Sequence, residues 1–234
     1  MTIDTLVVLI DPSPVSGEGF FMYRLYYCPS TASLAVHWML IEMGAPFELA
    51  LIDTATGVQK SPDYLKLNPS GVVPTLIVDG APVCEVAAIL MLLAERHADQ
   101  GLAPAVGAPE RAAWLQWMVY LANTVMPAFR AWFYPHEPAG ESGTEGVTEV
   151  SRLRLEGVWN RIDAHLATQD GSYMLGERLS TVDFLATMLM RWSRNMPKPA
   201  AAWPNIARYL STMRAMPSLR EVHAREGLTD WIGD

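Results

Sequence analysis

The side chains best suited to chemistry sit early in the chain. Cys28-Pro29-Ser30-Thr31-Ala32-Ser33 sets a thiol and several hydroxyls just ahead of a helix-forming run. A hydrogen-bond donor or a helix N-terminus at such a place holds a thiolate below the usual thiol pKa of about 8.5. The same hydroxyls also suit a plain helix N-cap. Val73-Pro74 stands immediately before a strand-like run, and Glu85 stands at the start of an apolar helical run. An acid there is favoured by the helix dipole, and the N–H groups of a first turn receive an anion. Gln59 and Lys60 read as part of a solvated loop. His37, inside a helical run, reads as a packing or surface residue rather than a base. Cys84 reads as a small buried apolar residue.

Composition narrows what such groups can serve. The chain has 234 residues, half of them hydrophobic and 18% charged, which is globular rather than disordered. A net charge of −8 argues against nucleic acid and anionic membrane as partners. Local backbone N–H groups can still hold a carboxylate. The apolar run from Leu6 to Ile10 is too short to span a bilayer, and the flanking Asp4 and Asp11 are unlike a signal peptide. Cys28 and Cys84 make neither a disulfide framework nor, with the histidines, a zinc site. The expectation is a soluble cytoplasmic protein without metal.

The elements that must position these residues follow from pattern and punctuation. Residues 1–21, rich in Pro and Gly toward their end, read as an N-terminal extension. Tyr23 to Tyr27 reads as a strand and Ser33 to Met43 as a helix stopped by Gly44. Phe47 to Ile52 is a second strand, and Ser61 to Leu67 a short helical stretch. Asn68-Pro69-Ser70-Gly71 is a turn signal. Strands from Thr75 and from Pro82 flank Asp79-Gly80, a hairpin signal, and Glu85 to His97 is helical. The order is βαβ, a connecting helix, then ββα, over residues 22–98. Residues 99–108 read as a linker. Residues 109–234 read as all-helical, with a long helix from Pro109 to Trp132 that Pro127 should bend or break. Pro135 to Gly146 reads as a loop and Val147 to Leu166 as a helix. Ser180 and Asp183 form an Asp-type capping box for a helix through Arg194. Pro204 and Pro217 mark two final helix starts.

Four stretches, Leu25-Tyr26-Tyr27-Cys28-Pro29, Asn68 to Leu76, Cys84 to Ile89 and Gly176 to Phe184, together resemble a cytosolic glutathione transferase. The resemblance runs from about Met22 to Asp234 and is nearest to the bacterial beta class. It implies a thioredoxin-like α/β domain followed by an all-α bundle, glutathione as co-substrate, and a homodimer. It implies a cis Pro74, with the Val73 N–H and C=O pairing with the cysteinyl part of glutathione like an added strand; the alternative is an ordinary trans-Pro turn. Glu85 would meet the γ-glutamyl ammonium, and Val86, where the family commonly has a hydroxyl residue, would offer only its N–H to the γ-glutamyl carboxylate. Gln59 or Lys60 would reach the glycyl carboxylate.

The thiol end departs from the beta class. Its cysteine position falls on Ala32 and its histidine position on Met126. The remaining hydroxyls are Thr31, then Ser33, with Ser30 behind them; Tyr26 or Tyr27 could present a phenol as tyrosine-type relatives do. Met126, Phe129 and Phe133 would line a pocket for a small hydrophobic electrophile. Two rival readings remain open: a glutathione-dependent disulfide reductase or peroxidase using Cys28, and a protein that kept the fold without catalysis.

Overall fold

The computed structural model describes residues 23–233; the expected extension over residues 1–21 lies outside them. The chain divides into two compact units. The first runs to Leu90 and takes in Glu221–Leu228; the second comprises Met91–Arg220 and the residues from Thr229. Glu221–Leu228, within the stretch 109–234 read as helical, thus groups with the first unit.

In the first unit the order is β1 (Tyr23–Tyr27), α1 (Ser33–Glu42), β2 (Phe47–Leu51), α2 (Pro62–Leu67), β3 (Thr75–Val78), β4 (Ala81–Cys84) and the start of α3 (Val86–Arg96). A single 3-10 turn, Val58–Lys60, precedes α2. The sheet order is β2-β1-β3-β4, with β1 parallel to β2 and antiparallel to β3. The β3–β4 hairpin turns through Asp79 (φ 52°) and Gly80 (φ 80°), the two positive φ values that a type I′ turn needs. Pro82 falls on β4, an edge strand, where a missing N–H leaves no gap in the sheet. Below the sheet, Tyr26, Ile52, Tyr64, Leu67, Val73 and Ile77 form one buried cluster.

Register decides where the chemistry collects. Tyr26 pairs with Thr75, and Thr75 pairs with Cys84. The chain leaving β1, the chain entering β3 and the chain leaving β4 thus meet at one end of the sheet. Tyr27 pairs with Leu51 in parallel, so the chain leaving β2 joins them.

The second unit is helical: α4 (Arg111–Tyr120), α5 (Met126–Phe133), α6 (His136–Ala139), α7 (Thr144–Ala167), α8 (Thr181–Trp192), α9 (Pro204–Ala215) and the start of α10 (Pro217–Arg225). Pro127 does not break the long helix. Residues Leu121–Val125 form a π-helical turn between α4 and α5, with Met126 N–H bonded to the Leu121 carbonyl. The wider turn absorbs the missing donor and the steric bulk of the ring. The loop expected over 135–146 is also corrected: α6, a 3-10 turn and the start of α7 occupy it. The capping box forms at α8. Asp183 accepts from Ser180 N–H at 2.8 Å, Ser180 Oγ at 3.0 Å, Met174 N–H at 2.8 Å and Tyr209 Oη at 3.1 Å.

Candidate functional site

The residues singled out in the first unit lie on the segments that leave or enter one end of its sheet. The turn after β1 carries the hydroxyls. Ser33 is fully buried; its Oγ accepts the Cys28 N–H at 3.2 Å and donates to the Cys28 carbonyl at 3.0 Å. Its single proton is therefore committed to the turn. Thr31 is half-buried, with Oγ1 at 2.7 Å from the Cys28 carbonyl and 2.9 Å from Ser33 Oγ. Because Ser33 already serves that carbonyl, Thr31 holds the proton that can be re-aimed at an incoming acceptor. Ser30 sits at φ 63° and donates its backbone N–H to Glu226 Oε2 at 2.9 Å.

Glu226 is a residue that pattern reading did not find. Its other oxygen lies 2.9 Å from His37 Nδ1, and both side chains are fully buried. His37 is flanked edge-on by Tyr27 and Phe47. It is thus a packing residue, as expected, with a buried carboxylate partner that lies 189 positions away. No local pattern signals a pair at that distance; the one hint is a histidine placed among apolar helix positions. Burial, with the nearby Glu226 and Cys28 groups, raises the pKa of the Tyr27 phenol.

Cys28 follows β1 directly. Its side chain packs against the buried cluster, and Sγ lies 3.4 Å from Thr54 Oγ1. Cys84, at the end of β4, is half-buried with its thiol toward the Leu67 carbonyl, and burial pushes its pKa up.

The Val73–Pro74 peptide bond is cis. Behind it stands a polar network that sequence reading also missed. Tyr64 Oη donates to the Val72 carbonyl at 2.8 Å and lies 2.9 Å from Thr75 Oγ1. Asn68 Nδ2 donates to the same carbonyl at 2.7 Å, while its Oδ1 accepts the Ser70 N–H at 3.1 Å. Lys60 lies alongside: Nζ donates to the Ser70 carbonyl at 3.1 Å. A Cβ on Gly71 (φ 60°) would come within 2.8 Å of the Lys60 side chain and 2.9 Å of the Gln59 carbonyl, so only glycine allows both this backbone and this approach. Gln59 donates to the Thr54 carbonyl at 3.2 Å.

Glu85 leaves β4 at φ 68° and opens α3. Ile89 N–H makes a first-turn bond to its carbonyl, so the N–H groups of Val86 to Ala88 precede that bond. Val86 is buried and Glu85 exposed, and among the described residues the Glu85 carboxylate has no hydrogen-bond or ion-pair partner. A non-glycine residue held in the left-handed region with an unpaired charge is an unusual arrangement. Chemically, an ammonium suits Glu85 and a carboxylate suits the adjacent helix N-terminus.

In the second unit, Phe129 is fully buried among Phe133, Trp159 and Trp192, which places it in the helical core. Phe133 is 46% exposed and Met126 half-buried. A separate open groove of about 500 Å³ runs along α4, the π turn and α7, lined by Leu115, Val119, Tyr120 and Arg161 among others. None of Met126, Phe129 or Phe133 lines it. Among the described residues no cluster of His, Cys, Asp and Glu could hold a metal ion, and no helix is long and apolar enough to cross a membrane.

Known proteins share this architecture. Residues 29–96 match the family described as Glutathione S-transferase, N-terminal domain, and residues 121–217 match its C-terminal domain. A curated relative, Glutathione S-transferase GST-4.5 of Xanthomonas campestris pv. campestris, is 31% identical over 88% of this chain and 99% of its own. A solved glutathione transferase homolog from Sulfitobacter, with bound glutathione, superposes with a TM-score of 0.80 at 28% identity, covering 87% of this chain and 98% of the other. A bacterial beta class Sphingomonas chungbukensis glutathione S-transferase gives 0.76 at 28% identity, covering 88% and 100%. With its thioredoxin-like sheet unit and its helical unit each matched in order, the chain belongs to the glutathione S-transferase family of enzymes.

Proposed function

We propose that this protein binds glutathione along the Val73-Pro74 segment and promotes attack of its thiolate on a small hydrophobic electrophile. The observation that carries the reading is the meeting of three segments at one sheet end: the hydroxyl turn, the cis-proline strand and the start of α3. The Sulfitobacter homolog, solved with bound glutathione, supports the same ligand. The Val73 main chain pairs with the cysteinyl residue as an added strand would. Glu85 takes the ammonium, the Val86 N–H the γ-glutamyl carboxylate, and Lys60, with Gln59 beside it, the glycyl carboxylate.

Thr31 is the group that stabilises the thiolate. A charged sulfur competes for its proton better than the neutral Cys28 carbonyl does. Ser33 holds the turn in shape, and Ser30 anchors it through its N–H. In the helical unit, Phe133 and Met126 are the candidate contacts for the electrophile, and Phe129 stacks against Phe133. Exposed Leu115 and Val119 on α4, with Val150 and Leu153 on α7, support a homodimer. The site suits a cytoplasmic detoxification role. The packing of Cys28 against the buried cluster favours conjugation over disulfide reduction.

Thr31→Ala tests this. The pKa of the bound thiol, read from thiolate absorbance against pH, should rise by about 1 unit, and kcat/KM with chlorodinitrobenzene should fall about 10- to 100-fold. Cys28→Ser should leave both unchanged. An unaltered thiol pKa in Thr31→Ala would remove Thr31 from the mechanism; failure of the wild type to bind glutathione would sink the whole reading.

A further inference from the structure

We infer that Tyr64 and Asn68 are positioning residues: by holding the Val72 carbonyl from behind, they aim the Val73 N–H at the cysteinyl carbonyl of glutathione. This rests on the glutathione reading above. A trans peptide unit is planar, with its C=O and N–H pointing in opposite directions. The Val72–Val73 bond is such a unit, since the cis bond lies one position later. Whatever fixes the direction of the Val72 carbonyl therefore fixes the direction of the Val73 N–H.

That carbonyl has two lone pairs, and both are taken from inside the fold, by Tyr64 Oη at 2.8 Å and Asn68 Nδ2 at 2.7 Å. The phenol spends its one proton on Val72, so the Thr75 hydroxyl, 2.9 Å away, donates to the phenol oxygen. The result is a chain of donors from Thr75 through Tyr64 to Val72, bracketing Pro74 from both sides. Tyr64 and Thr75 are fully buried and Asn68 nearly so, at 2%, which strengthens each bond. Burial pushes the Tyr64 phenol up to about 12, so it stays a donor across the working pH range. The Ser70 N–H on Asn68 Oδ1 fixes which end of the amide faces Val72. The Val72 side chain is exposed, so its own packing does not set the peptide direction. The Val73 side chain is buried in the cluster with Tyr64, which leaves the main chain as the part turned toward a ligand.

A purely structural role for Tyr64 would weaken every ligand alike, whereas an aiming role acts through one ligand atom. The test is a double cycle on the full chain, with Kd measured by calorimetry. It compares wild type and Tyr64→Phe against glutathione and against an analogue whose cysteinyl carbonyl is replaced by methylene. The expected result is a ~3- to 10-fold weaker Kd for glutathione in Tyr64→Phe. The analogue should lose less than about twofold by the same reasoning, and kcat at saturating glutathione should hold. Equal losses for both ligands, or none for either, would overturn the aiming role while leaving glutathione binding intact. A wild type that binds no glutathione would overturn both. Should Tyr64→Phe fail to fold, Asn68→Ser removes the other donor to the same carbonyl and is read in the same cycle.

Discussion

Asp183 and Glu85 are both acids at the start of a helix, and their surroundings are opposite. Asp183 opens α8 from a fully buried position and takes hydrogen bonds from Ser180, Met174 and Tyr209. Glu85 opens α3 exposed, at a left-handed φ of 68°, without a hydrogen-bond or ion-pair partner among the described residues. The first carboxylate has used its acceptor capacity on the fold. The second has no acceptor capacity committed among the described residues. The same residue class at the same kind of position thus differs in the state of its lone pairs: spent on the fold in Asp183, uncommitted in Glu85.

The largest expected effect falls on Asp183. Asp183→Ala strands the buried Met174 and Ser180 N–H groups and removes one acceptor of the Tyr209 hydroxyl, and should lower the unfolding free energy by ~3–5 kcal/mol. Urea denaturation measures this, and a loss under about 1 kcal/mol would erase the contrast with Glu85.

The pH dependence comes next. Burial, outweighing the four donors, raises the Asp183 carboxyl from its ordinary 3.8 to about 6. A raised acid binds its proton more tightly in the folded state. Its contribution to stability is therefore full below about pH 4 and is lost as pH rises through about 6, by at most about 3 kcal/mol. Asp183→Asn does not titrate, so the stability difference between wild type and this variant should shrink from pH 4 to pH 7. A difference that grows instead would mean that the hydrogen bonds, not desolvation, govern this carboxyl.

Glu85→Gln gives the smallest effect on the fold and a clear one on the ligand. Glutathione Kd should rise about 10- to 50-fold, in line with ~1.5–2.5 kcal/mol for a hydrogen-bonded charge. The urea midpoint should stay within the roughly 0.5 kcal/mol typical of exposed positions. A variant that loses stability but not affinity would place Glu85 beside Asp183 as architecture.

What was legible in the sequence tracks how local the cause is. Asp79-Gly80 marks its hairpin, Ser180 and Asp183 mark the start of α8, and Pro204 and Pro217 open α9 and α10, because each depends on its own few residues. Pro127 was misleading: the remedy for its missing N–H is a π turn upstream, which no residue preference announces. The helical turns at 136–143 hide inside a Pro- and Gly-rich stretch for the same reason. In the candidate site, Val73, Pro74 and Glu85 are picked out by the family resemblance of their stretches. The choice between Thr31 and Ser33 is not, since it depends on which hydroxyl the Cys28 backbone already holds. The Tyr64 and Asn68 donors are close in sequence to Val72, yet a tyrosine in an apolar cluster reads as packing until its hydroxyl is followed.

The bond from Ser30 N–H to Glu226 spans 196 positions. On the ribosome, the first unit's strands emerge long before the residue that ties down the turn bearing Thr31 has been translated. Until Glu221–Leu228 clears the exit tunnel, His37 lacks its carboxylate and the turn its anchor. The Ser33 and Thr31 bonds to Cys28 can form early, but the Glu226 anchor joins the turn only after a further 196 positions have been translated.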